Sequence, residues 1–421
     1  MSSLFFLLSL FYGWLAWNLY YPVTRQMQFS TVSFGAGWLT GELAPHVIFW
    51  QVMTVAFFIL IGSVWGFFGA LGFLICAAAW AAMAFYYYES GHAKEEVARG
   101  LAAGLGDDFE GQILEEFRQK FPGSPDRELI RHPFRLRDAE VEVLKNVPFG
   151  DYGQSLDIRR ARSGNDQTPR PVLLQIHGGA WTENYGSKNE QGLPLMNHMA
   201  KRGWICVATS YRLSPKASFP DHIVDCKQAL VWIKDHIAEY GGDPDFIVVT
   251  GGSAGGHLSS LLALSANHAA FQPGFENRDT TVQGAVPFYG VYDFTDSNGV
   301  HPHEGLVAFL EDNILKLDLE GNEDFFREAS PLFHISDKAP PFLVIHGDKD
   351  SLTPVEEARI FARELQNTSR NKVAYIELAG AQHAFDMFPS LRSEHVKHGV
   401  EKFLAWTYSR YLNQRNEAST G

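Results

Sequence analysis

Phe246-Ile247-Val248-Val249-Thr250-Gly251-Gly252-Ser253-Ala254-Gly255 is the stretch that decides the fold of this chain. A short, β-branched apolar run reads as a buried strand, and the G-x-S-x-G that ends it reads as a strand-to-helix turn. Such a turn forces its serine into strained backbone that only small neighbours tolerate, and it lifts the hydroxyl above the sheet. Ser253 is therefore the candidate nucleophile.

Outward from this turn, similar apolar runs recur at Val172 to Ile176, Trp204 to Ala208, Val282 to Phe288, Phe342 to Ile345 and Val373 to Leu378. Helix-like segments separate them, for example Asp221 to Tyr240, where Ile223, Leu230, Ile233 and Ile237 recur at roughly helical spacing. This alternation predicts an α/β domain over 139–421, with a mainly parallel sheet and helices on both faces. Its first strand is expected at Val141 to Leu144.

Three further loops follow strand runs. His177-Gly178-Gly179-Ala180-Trp181 lies where an oxyanion loop belongs, so the N–H groups of Gly178, Gly179, Ala180 and Ala254 are the candidate donors to a developing alkoxide. His177 itself reads as structural, and Trp181 as a candidate substrate-binding wall or a core residue. His346-Gly347-Asp348-Lys349-Asp350 and Gln382-His383-Ala384-Phe385 supply an acid and then a histidine. The chain order Ser, Asp, His is one that a charge-oriented histidine base uses on this kind of sheet. His383 would take the proton of Ser253 and return it to the leaving group. Spacing alone leaves Asp348 and Asp350 as rivals for the acid; Asp350, two residues farther along, is preferred because it has room to reach back.

The first 88 residues are a different material, with Arg25 and Glu42 as their formal charges. Leu43 to Tyr88 is long enough for two tightly linked spans turning among Gly62, Gly66, Gly69 and Gly72. Leu4 to Tyr21 is expected to form a third span or an interfacial helix. Residues 1–88 are thus read as membrane-anchoring helices, with the bilayer as a partner. Arg25, Lys94 and Arg99 fall on one side in either topology, which places the catalytic domain on the cytoplasmic side. Residues 89–138 are expected to be a linker with a cap helix starting near Asp107. The net charge of −13 sits on the remainder and disfavours nucleic acid. Cys206 and Cys226 suggest no disulfide framework. No H-E-x-x-H or paired Cys/His spacing is present, so no metal site is expected.

Together these motifs resemble the hormone-sensitive-lipase-like bacterial carboxylesterases of the α/β-hydrolase superfamily, over roughly Val141 to Leu412. Tyr211-Arg212-Leu213-Ser214-Pro215, Tyr240-Gly241-Gly242-Asp243-Pro244 and Gly252-Ser253-Ala254-Gly255-Gly256 look like signature segments of that family. The resemblance implies an α/β-hydrolase fold with a helical cap, an acid at the end of H-G-x-x-D, hence Asp350, and a base before Ala-Phe, hence His383. It implies a lid insertion at about 293–334, where Phe309, Leu310, Ile314, Leu315 and Phe325 would hold an acyl chain. One departure stands out: the family loop is usually His-Gly-Gly-Gly, whereas Ala180 replaces the third glycine. His-Gly-Gly-x-Trp also resembles the kynurenine formamidases and the membrane-anchored isoprenylcysteine methylesterases. The expected substrate is a small-molecule ester, lipid-like or of medium acyl length, and no cofactor is implied because nucleophile, base and donors are all protein groups. An amidase or peptidase would use the same triad. A non-catalytic receptor or scaffold on this fold usually loses a triad member, and here all three are present.

Overall fold

The computed structural model describes residues 1–162, 169–302 and 305–420. Four apolar helices come first: α1 (Ser2–Tyr20), α2 (Met27–Glu42), α3 (Ala44–Leu60) and α4 (Phe67–Glu89). Phe6 meets Phe68 near one end and Tyr20 meets Tyr86 near the other, so α1 and α4 run parallel. Phe58, near the end of α3, packs on Phe5, so α3 runs back between those ends. Among the described residues, Ser2–Tyr20 and Phe67–Leu105 are long and apolar enough to cross a membrane, and the pair α2 and α3, bent by 92°, makes a third candidate.

Gly62 and Gly66 lie in the α3–α4 turn, both at positive φ, as expected; Gly69 and Gly72 instead belong to α4. A Cβ on Gly72 would lie 3.2 Å from Phe5, so its small size serves the approach of α1 rather than of α3.

After one 3-10 turn, α4 continues into α5 (Ala93–Leu105). This corrects the expectation of a linker and cap helix at 89–138. Near Asp107 there is a 3-10 turn at Phe109–Gln112 and a short helix at Glu115–Arg118. The true helix lies upstream, and it covers the sheet instead of capping a site. Val97, Leu101 and Leu105 share a core with Ala374 and Ile376. A Cβ on Gly104 would sit 2.3 Å from the Cα of Ala374, so helix and strand are in backbone contact there.

Among the described residues, eight strands form one sheet: β1 (Val141–Phe149), β2 (Gln154–Ala161), β3 (Arg170–Ile176), β4 (Ile205–Thr209), β5 (Gly242–Gly252), β6 (Gly284–Phe288), β7 (Phe342–Gly347) and β8 (Val373–Leu378). Their order is β1-β2-β4-β3-β5-β6-β7-β8. The β1/β2 and β2/β4 pairs are antiparallel and every other pair is parallel. β2 escaped sequence reading because Asp157 and Arg159 interrupt its apolar pattern; both are buried, and Asp157 is paired with Lys188.

The long helices that follow are α6 (Leu193–Lys201), α7 (Asp221–His236), α8 (Ala254–Leu264), α9 (Val355–Thr368) and α10 (Leu391–Thr420). Strand alternation sends Val172, Leu174 and Val344 to the face covered by α7, α8 and α9. It sends Leu173, Leu343 and Ile345 to the face covered by α5, α6 and α10.

The 293–334 insertion is also corrected as an acyl-binding lid. Leu310, Ile314 and Leu315 are buried in the main core, and Phe325 packs edge-on against Phe219. Phe219 N–H donates to the Ile314 carbonyl at 2.8 Å. The apolar side chains expected to hold an acyl chain are already used in packing.

Candidate active site

β5 delivers Ser253 into α8 at φ 58° and ψ −122°, the strained turn that the glycine pattern predicts. A Cβ on Gly255 would lie 2.1 Å from the Ile176 carbonyl oxygen, so this crossing requires glycine. Ser253 N–H donates to Phe288 O at 3.0 Å, which fixes the turn over β6.

The β7 and β8 loops leave adjacent strands, paired up to Gly347 and Leu378. Asp350 Oδ2 lies 2.6 Å from His383 Nδ1 and accepts from Thr353 Oγ1 at 2.9 Å. Oδ1 accepts from the N–H groups of Leu352 and Thr353, both at 2.9 Å. Burial alone would raise this carboxyl, but the neighbouring His383 and the hydrogen bonds from His346 and His383 hold it well below the usual carboxylate range. Asp348 plays a different part, since its Oδ1 accepts Gly380 N–H at 2.7 Å and clamps the histidine loop. Geometry therefore separates two aspartates that spacing could not.

His383 is 4% exposed. Its ring lies 4.6 Å from that of Tyr289 on one side and 5.8 Å from that of Phe34, edge to face, on the other. Gln382 Oε1 accepts from His383 N–H at 2.9 Å and Ser351 N–H at 2.7 Å, tying the acid loop to the histidine loop. Ser253 Oγ makes no hydrogen bond to His383 among the described residues. Tyr289 neighbours both loops: its ring lies against His383, and a Cβ on Gly252, next to Ser253, would come within 2.6 Å of its hydroxyl.

In the loop after β3, Gly179 has φ +117°, and a Cβ there would fall 1.4 Å from the Tyr185 carbonyl oxygen. Gly178 N–H donates to Gln191 Oε1, which removes it from the four candidate donors. Among the described residues no acceptor takes the N–H groups of Gly179, Ala180 or Ala254. Ala180 occupies φ 52°, the left-handed region that glycine enters at lower cost.

Trp181, read as a substrate wall or a core residue, is 3% exposed, and its indole N–H donates to His257 Nδ1 at 3.1 Å. It packs edge-on against His257 and Phe294, so it serves the core. His177 stacks on Tyr211, and burial pushes it down to about 4, so it is neutral at pH 7. Tyr211 Oη donates to His177 O at 2.9 Å, and Ser214 N–H to Trp181 O at 2.8 Å. The Tyr211 segment, anchored by Arg212 on Asp225, thus braces the loop that carries the free amides.

Sequence reasoning missed Thr353, Gln191 and Tyr289, as well as the whole contribution of α2. A conspicuous motif marks none of them. Thr353 had one signal, its place three residues after Asp350, where an aspartate side chain commonly accepts the N–H groups of the turn that follows it.

The profile of the BD-FAE family matches residues 156–365 of this chain. The probable carboxylic ester hydrolase LipM of Mycobacterium tuberculosis is 52% identical over 267 residues, which cover 63% of this chain and 61% of LipM. Esterase LipQ of the same organism is 45% identical over 272 residues, 64% of each chain. The chain spans less than two thirds of the length of these two relatives. Among solved structures, the propionate-bound thermophilic esterase Est2 of Thermogutta terrifontis is 26% identical with a TM-score of 0.50, covering 64% of this chain and 93% of that one.

Proposed function

We propose that this chain, an α/β-hydrolase by fold, hydrolyses carboxylic esters through an acyl-enzyme on Ser253. The observation that carries the reading is the Asp350–His383 pair at 2.6 Å, placed in the loops beside a strained serine turn that faces unused backbone amides. The names of LipM and LipQ support the same reaction class.

In this mechanism Asp350 fixes the Nδ1–H tautomer of His383 and leaves Nε2 to accept the serine proton. Ser253 Oγ attacks the ester carbonyl, and the alkoxide is held by the N–H groups of Ala254 and of Gly179 or Ala180. The N-terminus of α8 adds its dipole there. His383 then protonates the leaving alcohol, and water repeats the cycle on the acyl-enzyme. The required Oγ–Nε2 bond forms as substrate settles, since catalytic hydrogen bonds are commonly long in empty sites.

The substrate is a lipid-like or medium-chain acyl ester near a membrane, and α1, α3 and α4 cross the bilayer with the catalytic domain on the cytoplasmic side. Support comes from the length and apolarity of these helices and from Arg25, Lys94 and Arg99 falling at the domain end.

The test is fluorophosphonate labelling of wild type against Ser253→Ala, with p-nitrophenyl esters compared against anilides. Labelling confined to wild type and turnover of esters is the expected result. An unlabelled wild type would sink the proposal, and preference for anilides would move it to an amidase.

A further inference from the structure

The helix α2 carries no charge before Glu42, yet its two faces differ. Ser30, Ser33, Gly37, Thr40, Gly41 and Glu42 are buried, while Met27, Phe29, Val32 and Leu39 are exposed. The buried face is shared between the neighbouring helices, where Ser33 bonds Asn18 of α1 and Gly41 faces Tyr86 of α4, and the loops that carry Asp350 and His383. Ser351 Oγ donates to Ser30 O at 3.2 Å, and Phe34 sets its ring against His383. Trp38 stacks on Phe388 at 5.3 Å, and a Cβ on Gly37 would touch Gln382 Nε2 at 3.4 Å.

At the end of α2, Glu42 accepts from Ser390 Oγ at 2.6 Å and pairs with Arg392, and both charged side chains are buried. Arg392 donates in turn to Ala379 O at 3.2 Å, and Tyr86 Oη of α4 donates to Gly380 O. The segment 379–392, which contains His383, is therefore held at both ends by the N-terminal helices. Because α2 bends by 92° from α3, a bilayer crossed by α3 leaves α2 lying in its surface, with the exposed apolar face toward lipid. One helix thickness, roughly 10 Å, then separates the bilayer from the catalytic imidazole.

We infer that α2 is the membrane-side wall of the active site: Phe34 and Glu42 are positioning residues for His383, and ester substrate reaches Ser253 from the lipid phase past the Phe29–Val32 face. The inference rests on the proposed ester hydrolysis and adds to it a route and a support for the base. Loss of Phe34 or Glu42 loosens the imidazole, which lowers turnover for every ester. Loss of the outer apolar face alters only access for esters dissolved in membrane.

The experiment uses the full chain in phosphatidylcholine vesicles, with p-nitrophenyl acetate in water and p-nitrophenyl decanoate in the bilayer. The double variant Phe29→Ser with Val32→Ser is expected to keep wild-type fluorophosphonate labelling and acetate turnover, while KM for the decanoate rises about fivefold at unchanged kcat. Glu42→Gln and Phe34→Ala are expected to lower kcat about tenfold on both esters with KM unchanged, and Phe34→Leu to restore most of it. A double variant that handles the decanoate like wild type overturns the lipid route. Labelling at the wild-type rate in both Glu42→Gln and Phe34→Ala overturns the positioning role, as does a Phe34→Leu no better than Phe34→Ala. A wild type that fluorophosphonate does not label fails the ester-hydrolase reading itself and the inference with it.

Discussion

Replacing Asp350 by asparagine isolates what the buried carboxylate does. Asparagine keeps the shape and, through Oδ1, the two bonds from Leu352 N–H and Thr353 N–H at 2.9 Å. Its NH2 then stands where Oδ2 accepted from Thr353 Oγ1 and faced His383 Nδ1 at 2.6 Å. The threonine hydroxyl adapts by turning into an acceptor. The imidazole adapts only by moving its proton to Nε2, and in that tautomer it cannot accept the proton of Ser253. The expected loss in kcat is about 10⁴-fold, or about 5.4 kcal/mol of barrier. The fold should survive, because the backbone bonds of the turn persist. Burst kinetics with p-nitrophenyl butyrate and a thermal melt on the same sample measure both effects, with Asp348→Asn as control. That control keeps, through Oδ1, the acceptor for Gly380 N–H at 2.7 Å and loses only the charge, so it is expected to fall by no more than about tenfold. A kcat for Asp350→Asn within tenfold of wild type, or a larger loss in Asp348→Asn, would refute the assignment of the acid.

Thr353→Val removes the hydroxyl that lies 2.9 Å from Asp350 Oδ2 and 3.3 Å from His383 Nδ1, and should lower kcat about tenfold at constant KM. Ala180→Gly relieves a left-handed alanine at φ 52°, so a melt should show stabilisation of about 0.5–1 kcal/mol. Lys227 is buried without a carboxylate partner among the described residues, donating to Ser265 O, Gln272 Oε1 and Thr280 Oγ1, and burial lowers it to about 7. Its unfolded form keeps the proton up to about pH 10.4, so between these values the unfolded chain binds more protons and stability rises with pH. From pH 7 to pH 9 this group should add about 2–3 kcal/mol to unfolding measured in urea. Lys227→Met should flatten that rise; an unchanged slope would contradict the assignment.

What could be read from the residues depended on whether the chemistry leaves a local pattern. A nucleophile turn does: glycines at 251 and 255 are demanded by carbonyls 2.1 to 2.5 Å from where a Cβ would sit, and the demand shows as G-x-S-x-G. The parallel strands were legible for a similar reason, since burial on both faces leaves unbroken apolar runs. β2 was not, because Asp157 and Arg159 break its apolar run, and the partner of Asp157, Lys188, lies 31 residues away. Among the candidate donors of the oxyanion loop, spacing could not set Gly178 aside; its bond to Gln191 does, and leaves Gly179 and Ala180. The choice between the aspartates likewise depended on which loop each one reached.

The helix α2 shows the limit most clearly. Its inner residues are serine, glycine and threonine, chosen for close approach rather than for chemistry, and its outer residues look like any membrane stretch. Its functional importance lies in pairs separated by more than 300 residues, Glu42 with Arg392 and Phe34 with His383. A mean hydropathy profile records such a helix as part of an anchor. The structure places it against His383, so on the proposed reading the same buried contacts serve the membrane anchor and the base, and a substitution that weakens one is expected to be felt in the other.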